Sequence, residues 1–154
     1  MADIELVTTD EIETFDSVVA KQLTAVAAVA VTAGEIIRLN TDGEWVLADA
    51  SAAETATGCY IAGLSKPAGQ PVTGFKTVKV DGFDLDELDF GDGVYLSDTA
   101  GAVADAPGTV ELLIGRVIPG MSERVGNAPK KLLAVDIGEP ATGAEGSEGE
   151  SSSE

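Results

Sequence analysis

Apolar positions along this chain come in short β-branched runs separated by Gly, Pro, Asp and Asn, from about Lys21 to Ile137. That spacing predicts an all-β domain, a small barrel or sandwich. Strands are expected near 25–31, 36–39, 45–48, 58–62, 77–80, 93–96, 110–117 and 132–136. Between the second and third, Asn40-Thr41-Asp42-Gly43 contains Asp-Gly, which accepts the positive φ angles of a tight hairpin turn. The Ala-rich stretch 23–31 has helical propensity, but its alternating valines and missing caps favour strand. Two loops interrupt the plan. Residues 65–74 are punctuated by Pro67, Gly69, Pro71 and Gly74, whereas 81–90 alternates carboxylates with Phe83, Leu85, Leu88 and Phe90. In the second loop the apolar side chains are expected against a core or a partner, with the acids in water.

The strand pattern is written twice. With an offset of 57 positions, Gly34 matches Gly91, Leu39 matches Leu96, Gly58 matches Gly115, Ile61 matches Ile118, Gly63 matches Gly120 and Ser65 matches Ser122. Either the domain is an internal duplication, or two of its hairpin arms are alike. On both readings the paired glycines mark turns, bulges or close chain approach.

The chain divides into an N-terminal arm (1–20), the β domain (21–138) and a tail (139–154) without large apolar residues, expected to be disordered in isolation. The arm mixes six acids with Ile4, Leu6, Val7, Ile12 and Phe15, which favours an arm that docks over a loose tail. Its residues Thr9 and Asp10 also suit the cap of one short helical turn. At 154 residues, one domain with tails is expected.

Charge excludes some partners. With 27 acids against 9 bases and a formal net charge of −18, the chain repels phosphate backbones, so nucleic acid is not expected. The most apolar run, 23–31, is well short of the roughly 20 residues a spanning helix requires, and the N-terminus is acidic where a signal peptide is basic. Synthesis as a soluble cytoplasmic protein is the expectation. Cys59, the single cysteine, reads as a small buried hydrophobe.

No catalytic constellation emerges. The chain has no histidine, which removes Ser-His and Cys-His activation and imidazole ligation. Ser65 and Lys66 are neighbours on an extended chain and point apart. The acids Asp81, Asp84, Asp86, Glu87, Asp89 and Asp92 fit no EF-hand spacing and read as a solvated loop. Asp98-Thr99-Ala100-Gly101 is explained by a turn. No enzyme, metal or cofactor is expected. Among the bases, Arg38, Arg116 and Arg124 lie in or beside the β pattern, as edge protection, local ion pairs or contacts to an acidic partner.

Residues 33–39, 57–63, 78–82, 90–96 and 113–117 together resemble the capsid decoration, or head cement, proteins of tailed bacteriophages, over roughly Ala25 to Asp136. The resemblance implies a structural protein of the virion, bound to the major capsid protein on the outer surface of the phage head, commonly as a homotrimer, with no membrane or nucleic-acid partner. For such a role, Ile4, Leu6, Val7, Ile12 and Phe15 are our expected capsid-binding arm, and Phe83, Leu85, Leu88, Arg38, Arg116 and Arg124 our expected subunit or shell contacts. The long acidic arm and the Ser/Glu/Gly tail depart from the compact members of that family. A tail or baseplate component, or a β-barrel binding module using Trp45, Tyr60 and Tyr95, is the alternative.

Overall fold

The computed structural model describes residues 3–4, 13–15, 21–120 and 131–140; Leu6, Val7, Ile12 and Arg124 lie outside them. The fold is all-β, one sheet curled into a half-barrel. Its strands are β1 (Asp3–Ile4), β2 (Glu13–Phe15), β3 (Lys21–Val26), β4 (Ile36–Leu39), β5 (Trp45–Leu47), β6 (Cys59–Ala62), β7 (Pro71–Asp81), β8 (Gly93–Leu96), β9 (Val103–Ala104), β10 (Leu113–Pro119) and β11 (Lys131–Asp136). Along the sheet the order is β1-β9-β8-β10-β11-β7-β6-β4-β5, with β2 and β3 also pairing β7.

The 57-residue repeat is built into this topology. Each half is a four-stranded unit, β5-β4-β6-β7 and β9-β8-β10-β11. Shifted by the offset, the pairs Ile61↔Phe75 and Ala62↔Gly74 become Ile118↔Leu132 and Pro119↔Lys131, and both are observed. The halves join through antiparallel β7 and β11. There Val78 faces Val135, its own repeat mate, while Lys79↔Ala134 and Thr77↔Asp136 are images of each other. A pseudo-twofold axis therefore passes between Val78 and Val135. One hairpin departs from it: the connection after β8 (97–102) is one residue longer than that after β4 (40–44), which displaces the β8–β9 register by one. Before β4 and β8 stand Gly34 and Gly91, with φ of 89° and 92°, so this repeated glycine marks a backbone conformation that side chains avoid.

Two cores occupy opposite faces of the sheet. The larger gathers Ile36, Ile61, Val80, Leu96, Ile114 and Leu133 with their neighbours; the smaller gathers Ile37, Trp45, Ala62 and Val72 under Ala27 and Val31. Adjacent Ile36 and Ile37 are both fully buried because β4 carries a core on each side. A bulge in β7 lets one strand serve both. Gln22 faces Phe75 and Lys21 faces Thr77, so Lys76 is the extra residue and the faces switch. Val72 therefore joins the smaller core, and Val78 and Val80 the larger.

Several expected boundaries move. The strand expected at 25–31 is β3, ending at Val26, because Ala27 and Val31 leave the sheet to seal the smaller core, and their backbones pair with Trp45 and Lys66 only as isolated bridges. The expected loop 65–74 ends early: Pro71 opens β7, a position where a missing N–H is tolerated. Strand β9 was not anticipated, and β10 begins at Leu113 rather than Val110. The expected helical turn near Thr9 and the tail from residue 141 fall outside the described residues.

Candidate functional site

The most elaborated polar feature lies at the β9 edge. One side of β9 pairs β8; the other receives β1, with Asp3 opposite Ala104 and Ile4 opposite Val103. Ser97, the one polar side chain fully buried among the described residues, sits behind this edge. Its Oγ lies 2.6 Å from Asp3 Oδ1 and accepts the Thr99 N–H at 3.0 Å. In this contact the Ser97 hydroxyl donates and the Asp3 carboxyl oxygen accepts. Beside it, Ile4 packs half-buried on the larger core and lines a cavity of about 120 Å³ with Glu35, Phe83 and Gly101. Ile4, expected to reach a shell, is thus seated on its own sheet. Phe15 lies in β2, its backbone opposite Lys79.

The remaining expected contact residues are dispersed. Phe83, Leu85 and Leu88 turn inward into the larger core, only 6%, 4% and 9% exposed, which leaves little of them for a neighbour. Phe90, from the same loop, is exposed and lies 5.7 Å from the Lys131 ammonium. Lys131 donates to the Leu88 carbonyl and pins the loop onto β11. Arg38 is half-buried beside Cys59 and Trp45 strands, with Nε enclosed and without a hydrogen-bond partner. Arg116 is exposed and donates to the Gly91 carbonyl at 3.1 Å, an internal tie within the second repeat half.

Carboxylates in this protein organise turns. Asp49 accepts from Ser51 Oγ (2.5 Å), Ser51 N–H (3.1 Å) and Thr55 Oγ1 (2.9 Å), and the Ser51 hydroxyl above all holds its carboxyl below the ordinary value. Asp98 binds Thr109 through both oxygens, at 2.9 and 2.7 Å. In the acidic loop Asp84 accepts from Asp86 N–H and Asp92 from Asp89 N–H. Among the described residues no three His, Cys, Asp or Glu side chains gather to hold a metal ion. Ser65 Oγ accepts from the Ala33 N–H at 2.8 Å and braces the turn before β4.

Cys59 is fully buried, and that burial pushes its thiol up to about 12. It is expected to resist a thiol reagent at pH 8 in the folded protein and to react fully after unfolding; rapid native labelling would contradict the burial. The raised value also fixes a sign. The unfolded thiol ionises from 9.0 and the folded one only near 12, so this group's contribution is intact below pH 9 and is lost as pH rises towards 12.

Sequence reasoning missed Ser97, at the start of the turn that runs to Gly101, and β9, which follows that turn. The available signal was the polar Ser97 directly after the apolar run Val94-Tyr95-Leu96, on the repeat half's first strand. No protein-family model and no curated protein sequence matches the chain.

Proposed function

We propose that the protein is a structural virion component that binds the outer surface of a phage head and stabilises the shell as an oligomer, a trimer by the resemblance. The observation that carries this reading is the exposure of large apolar side chains on a chain of net charge −18: Leu23 (37%), Val26 (42%), Val29 (40%) and Leu64 (45%). Leu23 and Val26 belong to β3, exposed along almost its whole length, and Val29 follows directly. A strand so exposed, carrying apolar side chains, suits contact with another protein surface. The cement resemblance supplies that partner, the major capsid protein together with neighbouring copies. Linked contacts gain avidity without any one being strong.

A small-molecule binding module is less well supported. Trp45 is fully enclosed in the smaller core, and the cavity beside Ile4 is small next to the roughly 300–1,000 Å³ of typical ligand sites. A tail or baseplate role is separated from the head role by electron microscopy of particles made with and without the protein. Deletion of residues 1–19 is expected to abolish head binding while the β-sheet circular dichroism persists. Unchanged head binding would sink the arm as the means of attachment, and density on the tail would sink the head assignment.

A further inference from the structure

We infer that the β9 edge is an acceptor site for an Asp-Ile strand, and that neighbouring copies of this chain exchange that strand. The site has three parts that a merely frayed terminus does not need. Backbone pairing fixes register, with Asp3 opposite Ala104 and Ile4 opposite Val103. A fully buried hydroxyl, Ser97 Oγ, waits for an acceptor and finds the Asp3 carboxylate at 2.6 Å. An apolar cleft beside Phe83 and Val103 takes the next side chain, Ile4. Main-chain bonds give affinity and alternate side-chain pockets give selectivity, which is how sheet edges recognise extended peptides.

The pseudo-twofold axis shows why this edge is special. Its image is the outer edge of β5, covered by the chain leaving β3: Ala28 N–H donates to the Trp45 carbonyl at 2.9 Å, and Ala27 bridges Trp45. That cover is joined to β3 with nothing between and stays with its own domain. At the second edge the cover is β1, joined to β3 through residues 5–20. Fully extended, a connection of that length spans roughly 50 Å, given about 3.3 Å per residue. A domain of this size is roughly 35 Å across, from the usual scaling of radius with length. The strand therefore reaches the same edge on a neighbour once β2 leaves β7, and both ends of the exchange make the contacts seen within one chain. Exchange of an identical element needs no new surface. A tethered strand competes at roughly millimolar effective concentration, so the closed form prevails in dilute solution and exchange sets in where copies are crowded side by side.

The inference does not rest on the phage-head reading, and its test uses the purified full chain alone. Asp3→Cys and Ala104→Cys are made separately and together; facing residues of an antiparallel pair lie at disulfide-compatible Cα separation. Cys59 stays in place, since it is buried. The double variant is expected to close its disulfide within one chain when dilute, the bond replacing the Asp3–Ser97 contact. An equimolar mixture of the single variants, oxidised at high protein concentration, is expected to give several-fold more covalent dimer than either alone, because only exchange brings Cys at position 3 of one chain to position 104 of another. A mixture that yields no more dimer than its components, with the double variant closed in one chain, overturns the exchange. A double variant that folds by circular dichroism but closes no disulfide overturns the acceptor site itself.

Discussion

Replacing Trp45 with alanine is expected to cost about 3–5 kcal/mol of folding stability, the range for truncating a large enclosed aromatic. Trp45 is fully buried although it sits in a three-residue strand near the sheet's end. Its ring meets Tyr60 edge to face at 5.2 Å and its Nε1–H donates to the Val72 carbonyl at 2.9 Å. Below it is Gly74, where a Cβ would stand 3.3 Å from the indole and 2.8 Å from Tyr60 Cβ. The ring is thus the filling of the smaller core, and Ala27 and Val31 close over it. Alanine leaves a cavity and also strands the Val72 carbonyl. Trp45→Phe keeps much of the volume and loses only the donor, so its expected cost is about 1–3 kcal/mol, that of an unsatisfied buried acceptor. Guanidinium unfolding followed by circular dichroism is the suitable measurement, because Trp45 is the only tryptophan and its fluorescence goes with it. A loss below about 1 kcal/mol for the alanine variant would mean the smaller core collapses around the gap, against the packing described.

That core illustrates what one dimension of sequence carries. The runs at Ile36–Leu39, Trp45–Leu47, Cys59–Ala62 and Gly93–Leu96 were legible because β-branched and aromatic residues end at turn formers. The doubled glycines were legible too, and they led to a real repeat of topology. The bulge at Lys76 was not: nothing local requires it, and it exists because β7 must serve cores on both faces. Strand β9 escaped because Val103–Ala104 sits among small residues and becomes a strand by pairing β8 and β1. In the acidic loop, alternation identified Phe83, Leu85 and Leu88 as the side chains turned away from water. Whether they turn to their own core or to a partner's is a tertiary fact, and they turn to their own. The same limit applies to the candidate site. Asp3 and Ile4 lie more than 90 positions from Ser97, and only the pairing of β1 with β9 brings them together.

The repeat-matched pair Gly58 and Gly115 separates a preserved letter from a preserved reason. Gly58 stands just before β6 with φ of 67° and nothing within 4 Å of where a Cβ would be. Alanine there is strained only by its backbone, which corresponds to about 1–2 kcal/mol for a left-handed residue. Gly115 lies inside β10, opposite Val135, with φ outside the left-handed region. Its added Cβ would stand 2.2 Å from the Ala134 carbonyl oxygen, 2.9 Å from that carbon and 3.0 Å from Val135 Cα. All three are backbone atoms of β11, so no rotamer change relieves the clash and the strands must part. Since β11 also carries the Val78–Val135 contact on the pseudo-twofold axis, parting it from β10 disturbs the joint between the halves. Gly115→Ala is therefore expected to cost on the order of 4 kcal/mol or more, at the extreme of single substitutions. Against a total of about 5–15 kcal/mol for a typical domain, that brings the protein close to unfolding. Denaturant midpoints of the two alanine variants decide the matter. Equal losses would mean that both glycines serve the turn alone, whereas a loss several-fold larger at Gly115 shows that the second copy reused the residue to let two strands touch.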